Sequence, residues 1–222
     1  MPTYTMRATA TPPALDGAFD AGAWAGAEEG RVTLFNEKGS DHRPDVRFRL
    51  LHDHAGIYVK FEVRDRYVRS VQTAYQGSVC TDSCAEFFVQ PKAGKGYFNF
   101  EVNAGGTLLL FYIEDASRAP GGFAKYQEVS EEWGHKVRIW HSLPAVVEPE
   151  ITAPVTWGIG YHVPVALFEA YTGPLGRLSG QAWRANFYKC ADKTSHPHWG
   201  SWAPLTSLNF HLPECFGDLA IE

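Results

Sequence analysis

The chain has 222 residues, 45% of them hydrophobic and 20% charged, a globular composition for which a single domain over 1–222 with one large core is expected. A formal charge of -5, a pI near 6.0 and the lack of any Lys/Arg run exclude the electrostatic footprint of a nucleic-acid-binding protein. No stretch reaches the ~20 apolar residues of a membrane-spanning helix, so no membrane insertion is expected.

Residues 1–24 show no basic segment followed by an apolar run, and no export signal is read in the chain as given. The compartment stays open: a trimmed signal peptide would make it extracellular or periplasmic. Val46, Phe48 and Leu50 then alternate with Arg47 and Arg49. Ile57, Val59, Phe61 and Val63 alternate with Tyr58, Lys60, Glu62 and Arg64. This two-residue period predicts strands with one buried face, and the intervening His52-Asp53-His54-Ala55-Gly56 predicts a hairpin turn. Further strands are predicted over Ala85–Gln90, Tyr97–Asn103, Thr107–Ile113, Val137–His141, Thr156–Val163, Ala182–Lys189 and Phe216–Ile221. Helix is expected only as a turn at Ser130–Trp133 and a short piece at Pro164–Tyr171, where Pro suits a first turn. Many strands, turn-rich gaps and few short helices predict an all-β, antiparallel β-sandwich of jelly-roll or immunoglobulin-like type.

The four cysteines, Cys80, Cys84, Cys190 and Cys215, are too sparse for a disulfide-built scaffold, and free buried thiols are expected. Their spacing does not suggest zinc, which wants tighter pairs. His196-Pro197-His198, with His52 and His211, offers imidazoles to a metal site but reads better as surface histidines in a loop.

The outward positions of three strands carry an unusual polar set. Asn99, Glu101 and Asn103 share a face, as do Arg184, Asn186 and Tyr188, and Glu86 with Phe88 and Gln90. Solvated faces usually carry Lys, Glu and Thr. Planar amides, acids and a guanidinium are groups that pair with sugar hydroxyls, which both donate and accept, while aromatic plates pack on a sugar's C–H face. Trp199 and Trp202, with Lys189 beside the strand, are candidates for the rim. Exposure of these polar groups would imply modest affinity, since bound water must be displaced. Cross-strand polar pairs on a solvated face are the plainer reading of the stripe.

Leu15-Asp16-Gly17-Ala18-Phe19-Asp20 with Trp24, Arg47–Asp53, Ile57–Phe61 and Val63-Arg64-Asp65 resemble the N-terminal half of a family 9 carbohydrate-binding module. Asp82–Val89 and Phe216-Gly217-Asp218-Leu219 resemble that family's later segments, so the likeness covers nearly the whole chain. The resemblance implies a two-sheet sandwich that binds xylan- or cellulose-type polysaccharides or small sugars, with a preference for chain ends, structural calcium in some members and association with a glycoside hydrolase in carbohydrate catabolism. It makes Glu86 the sugar-binding glutamate. It also places Glu101 near a family arginine, Cys80 where a clamping tryptophan stands, and Tyr188 near a family asparagine.

Three rival readings remain. Glu86 and Glu101 could be the carboxylate pair of a glycoside hydrolase, although no local motif supports catalysis. Related sandwiches bind haem, usually through methionine, but Met1 and Met6 are the only ones here, leaving histidine pairs. A protein-interaction module could use the acids Glu128, Glu131 and Glu132 or the proline-bearing run Leu143–Val155. Asp16, Asp20, Asp53 and Asp65 are scattered acids rather than a calcium loop.

Overall fold

The computed structural model describes residues 1–222. In chain order the first strands are β1 (Thr3–Ala8), β2 (Gly30–Val32), β3 (Leu34–Phe35), β4 (Asp45–His52), β5 (Gly56–Asp65) and β6 (Val68–Ser70). They are followed by β7 (Cys84–Gln90), β8 (Tyr97–Asn103), β9 (Leu108–Ala119) and β10 (Gly122–Glu128). After a single turn of helix, α1 (Glu131–Gly134), come β11 (Arg138–His141), β12 (Val147–Ile151), β13 (Val155–Pro164) and α2 (Val165–Thr172). The last strands are β14 (Ala182–Cys190), β15 (Trp199–Ser201) and β16 (Gly217–Ile221).

The alternating pattern of the sequence explains the pairing. Val46, Phe48 and Leu50 lie opposite Val63, Phe61 and Val59 across antiparallel β4 and β5, so one face of the pair is wholly apolar. The turn between them is held by Asp53, whose Oδ1 accepts from the amides of Ala55 and Gly56. Gly56 is required there because a Cβ would come within 2.2 Å of the Val163 carbonyl oxygen. One sheet runs β1-β4-β5-β13-β11, and the other runs β10-β9-β8-β7-β14-β16-β1. The two pack face to face as an all-β sandwich.

The pairing departs from an all-antiparallel plan at β1. Thr3–Met6 runs parallel to β16 in one sheet, and Arg7–Ala8 runs parallel to β4 in the other. A strand that changes sheets ties the two layers at one edge.

Inward side chains from both sheets merge into a cluster of 35 buried residues. At its centre Phe187 of β14 stacks on Phe48 of β4 with ring centroids 3.6 Å apart and 13° between planes. Removing such a ring costs roughly 3–5 kcal/mol. The strands absent from the sequence reading are β1, β2, β3, β6, β10, β12 and β15. Several span only two or three residues, too short to show a period. The longer β10 is mostly solvent-exposed, so no apolar alternation marks it.

Candidate functional site

The polar stripe forms on the outer face of the second sheet, but it is not an open platform. Phe88, Tyr97, Ile113, Tyr188 and Phe216 form a second apolar cluster on that face. The β9–β10 hairpin and the segment 202–216 lie over it, contributing Phe123, Tyr126, Leu205 and Phe210. Consequently Glu86, Asn99, Glu101, Asn103 and Asn186 are all buried, with exposures of 5% or less. The expectation that they are exposed in the free protein is corrected by this cover.

One opening remains, a cavity of about 210 Å³ with Glu86, Glu101 and Cys190 on its floor. Its walls are Cys80, Asp192, Trp199 and the run Leu208-Asn209-Phe210-His211, with Arg118 of β9 at the mouth. Two larger surface clefts, of about 500 and 530 Å³, contain no Phe, Tyr or Trp, one of about 420 Å³ has Phe35 alone, and one of about 240 Å³ is lined by Phe19, Phe61, Trp140 and Trp157. The 210 Å³ cavity alone among these joins aromatic walls to the facing carboxyls of Glu86 and Glu101 and to an unpaired buried oxygen, and it is the candidate site.

The floor is built by register. Glu86 of β7 lies directly opposite Glu101 of β8 and, on its other side, opposite Tyr188 of β14. Burial pushes both carboxyl groups up, Glu101 to about 7 and Glu86 well above its ordinary value, with Glu101 adding repulsion at Glu86. Near neutrality the pair therefore retains a proton, which gives it a donor as well as acceptors. Asn99 orients Glu101 by donating from Nδ2 to Oε1 at 2.8 Å, while its own Oδ1 accepts from the Phe111 amide at 2.6 Å. The Cys190 thiol donates to Glu86 Oε1 at 2.9 Å. Glu86 Oε2 is buried and has no hydrogen-bond partner. An unpaired buried carboxylate oxygen costs roughly 1–3 kcal/mol, a cost removed by a ligand that donates to it.

The walls are also fixed in place. Phe210 stacks on Tyr188 at 4.1 Å and 10°, and the Tyr188 hydroxyl donates to the Phe210 carbonyl at 3.0 Å. His211 Nδ1 pairs with the Tyr97 hydroxyl at 2.9 Å, and burial, helped by Arg118, lowers its pKa to about 3, so the ring is neutral. Trp199, which lines the cavity, donates from Nε1 to Asp192 Oδ1 at 2.7 Å.

Of the residues singled out from the sequence, Glu86, Glu101 and Trp199 meet at the cavity, with Asn99 and Tyr188 directly behind. The others are placed elsewhere. Asn103 donates to Asp82 and Gln72 and accepts from Thr107, tying the β8–β9 turn to a neighbouring loop. Asn186 exchanges bonds with Ala203, and Arg184 donates to the carbonyls of Phe216 and Glu214, so both hold the covering segment. Trp202, expected at the rim, instead closes the main core edge-on to Phe48 and Phe187. Lys189, also expected at the rim, points to the opposite side of β14, because neighbours on a strand face opposite ways. There its Nζ donates to His198 Nε2 at 2.8 Å and lies 3.6 Å from Asp65 Oδ2.

The histidine reading is corrected as well. His198 is 1% exposed and belongs to that buried group, whereas His196 stacks on Tyr67. Asp20 pairs with Arg49, Asp53 caps a turn and Asp65 sits in the ion cluster, so these acids do not converge. The residues missed from the sequence, Arg118, Asp192, Asn209 and Phe210, lie in loops or at a hairpin end. No periodicity marks such positions; only Trp199, as an aromatic in a loop, carried a signal.

The chain is similar to known proteins over nearly its whole length. A protein from Bacteroides uniformis, whose proposed role is carbohydrate binding, matches with a TM-score of 0.84 and 30% identity over 99% of both chains. A family 9 carbohydrate-binding module from Caldicellulosiruptor kristjanssonii, in complex with cellotriose, matches with a TM-score of 0.62 and 12% identity over 100% of this chain and 94% of that one. The same organism's module in complex with glucose gives 0.57 and 12%, over 98% and 95%. No curated protein matches significantly. The sequence profile of carbohydrate-binding family 9 matches residues 25–221, and the chain belongs to that family.

Proposed function

We propose that the protein binds carbohydrate without cleaving it, in the cavity over Glu86 and Glu101. The observation that carries this reading is the unpartnered, buried Glu86 Oε2 on the floor of an aromatic-walled cavity. A sugar hydroxyl donates to that oxygen, and the protonated carboxyl of the pair donates back to a sugar oxygen. Trp199 packs on a ring's C–H face, with Phe210 and His211 opposite. Arg118, Asp192 and Asn209 supply polar contacts at the mouth.

The cavity's 210 Å³ is below the ~300–1,000 Å³ of pockets that enclose drug-sized ligands, which favours one terminal ring over the interior of a chain. Cello- or xylo-oligosaccharide ends are therefore the proposed ligands, and a partner glycoside hydrolase is the proposed setting. Hydrolysis is not favoured by the geometry: both carboxyls rise side by side from neighbouring strands, whereas glycosidases place theirs on either side of the scissile bond.

Calorimetric titration with cello-, xylo- and manno-oligosaccharides and their monosaccharides tests the reading. Saturable heat with one class, lost in Glu86→Gln and unaccompanied by shortened products, is the expected result. Silence across the panel, or product release, overturns it.

A further inference from the structure

We propose that Cys84, Cys190 and Glu86 form a binding site for a thiophilic divalent cation, zinc being the type case, beneath the cavity floor. The two cysteines are directly opposite one another across antiparallel β7 and β14, so their thiols share a face. Glu86, two residues after Cys84, points to that same face. Both sulfurs and one Glu86 carboxylate oxygen lie within 4.8 Å of one another.

Zinc–sulfur bonds of ~2.3 Å and zinc–oxygen bonds of ~2.0–2.2 Å in a tetrahedron separate the ligand atoms by about 3.6–3.8 Å. The cluster's upper bound of 4.8 Å lies within about 1.2 Å of this spacing. The second, independent observation is the orphaned Glu86 Oε2, which is buried and has no donor. All four cysteines are free, so neither thiol is consumed in a disulfide. Cys190 and Glu86 line the cavity, which gives the ion a path in and leaves a fourth coordination position open to it.

Two sulfur ligands select zinc, cadmium or cobalt over calcium and magnesium, which prefer oxygen. Binding exchanges protons for metal: each thiol and the Glu86 carboxyl releases one proton, three in all, and two thiolates and a carboxylate hold the ion. The site stands whether or not the cavity takes sugar.

The test uses the whole, reduced protein, with cobalt(II) as an optical probe and zinc as competitor. The expected result is one equivalent of cobalt, a thiolate-to-cobalt charge-transfer band in the near ultraviolet, and its loss on adding zinc. Cys84→Ser and Cys190→Ser should each weaken binding by more than the ~10–100-fold that loss of an outer-shell partner costs, and Cys215→Ser should leave it unchanged. X-ray absorption of the zinc-loaded wild type, which needs no variant to fold, should count two sulfur ligands. No charge-transfer band, a band that survives both serine variants, or fewer than two sulfurs overturns the assignment.

Discussion

Lys189 and Glu86 are buried ionisable residues on adjacent strands, and they live in opposite circumstances. Lys189 faces a cluster in which every charge is answered. Its ammonium meets His198 and Asp65, while Asp65 also accepts from His42 at 2.7 Å, Trp157 at 3.1 Å and the Arg66 amide at 2.8 Å. Burial alone would raise the Asp65 carboxyl, but Lys189 and the hydrogen bonds hold it well below its usual range. Glu86, one strand away on the other face, keeps an oxygen with no partner, sits against a second carboxyl and looks into a cavity. Burial of ionisable groups is common to both regions. An unmet hydrogen bond beside open space is what separates a ligand site from a structural ion cluster.

The comparison is broken most severely at Lys189. Lys189→Met leaves Asp65 buried without its cation and should cost about 3–5 kcal/mol, read as a lowered midpoint in urea denaturation. Sugar affinity of the folded fraction should not change. At Glu86 the pattern should reverse: Glu86→Gln is expected to weaken sugar binding about 10–100-fold in calorimetry, because the amide leaves polar groups of the buried floor mispaired, without lowering the melting temperature. If Glu86→Gln melts early, or Lys189→Met melts normally, the distinction between the two regions fails.

The two regions should also respond to pH with opposite sign. A carboxyl raised from 4.5 to about 7 prefers its proton in the folded state, so Glu101 leaves stability untouched below pH 4.5 and erodes it up to about pH 7. Melting curves of Glu101→Gln and wild type should coincide near pH 4, with the variant melting a few degrees higher at pH 8. His198, lowered from 6.5 to about 3 by burial and by Lys189, contributes stability in full above pH 6.5 and loses it as pH falls toward 3. Asp65, whose folded value is depressed, adds a loss at lower pH still. Acid should therefore melt the Lys189 cluster while relieving the cavity floor. The smallest effect is expected at the wall: Trp199→Ala should weaken sugar binding about 2–10-fold, the scale of one ring contact, and ligand-induced tryptophan fluorescence changes should shrink with it.

Much of the sandwich was legible because its long strands alternate strictly. Val46–Leu50, Ile57–Val63 and Tyr97–Asn103 each display one apolar face, and each is a strand. The inward and outward faces of β7, β8 and β14 followed from the same parity, which puts Glu86 and Glu101 on one face, whereas their direct opposition is set by register. What parity could not show was the fate of the outward groups. Asn103 and Asn186 read the same as Asn99 in the sequence, yet they are spent on tying down loops. Lys189, next to the stripe in sequence, points away from it, because its neighbours Tyr188 and Cys190 own that face.

By itself, then, the sequence determined which segments become strands and which side of each seeks the core, since both are local properties of a two-residue period. Only the tertiary structure decided that the outer face is roofed by residues 202–216 and that Cys84 finds Cys190. It also left one carboxylate oxygen without a donor. Those outcomes depend on strand register and loop packing between distant segments, where the balance is struck among many contacts at once and no local pattern records it.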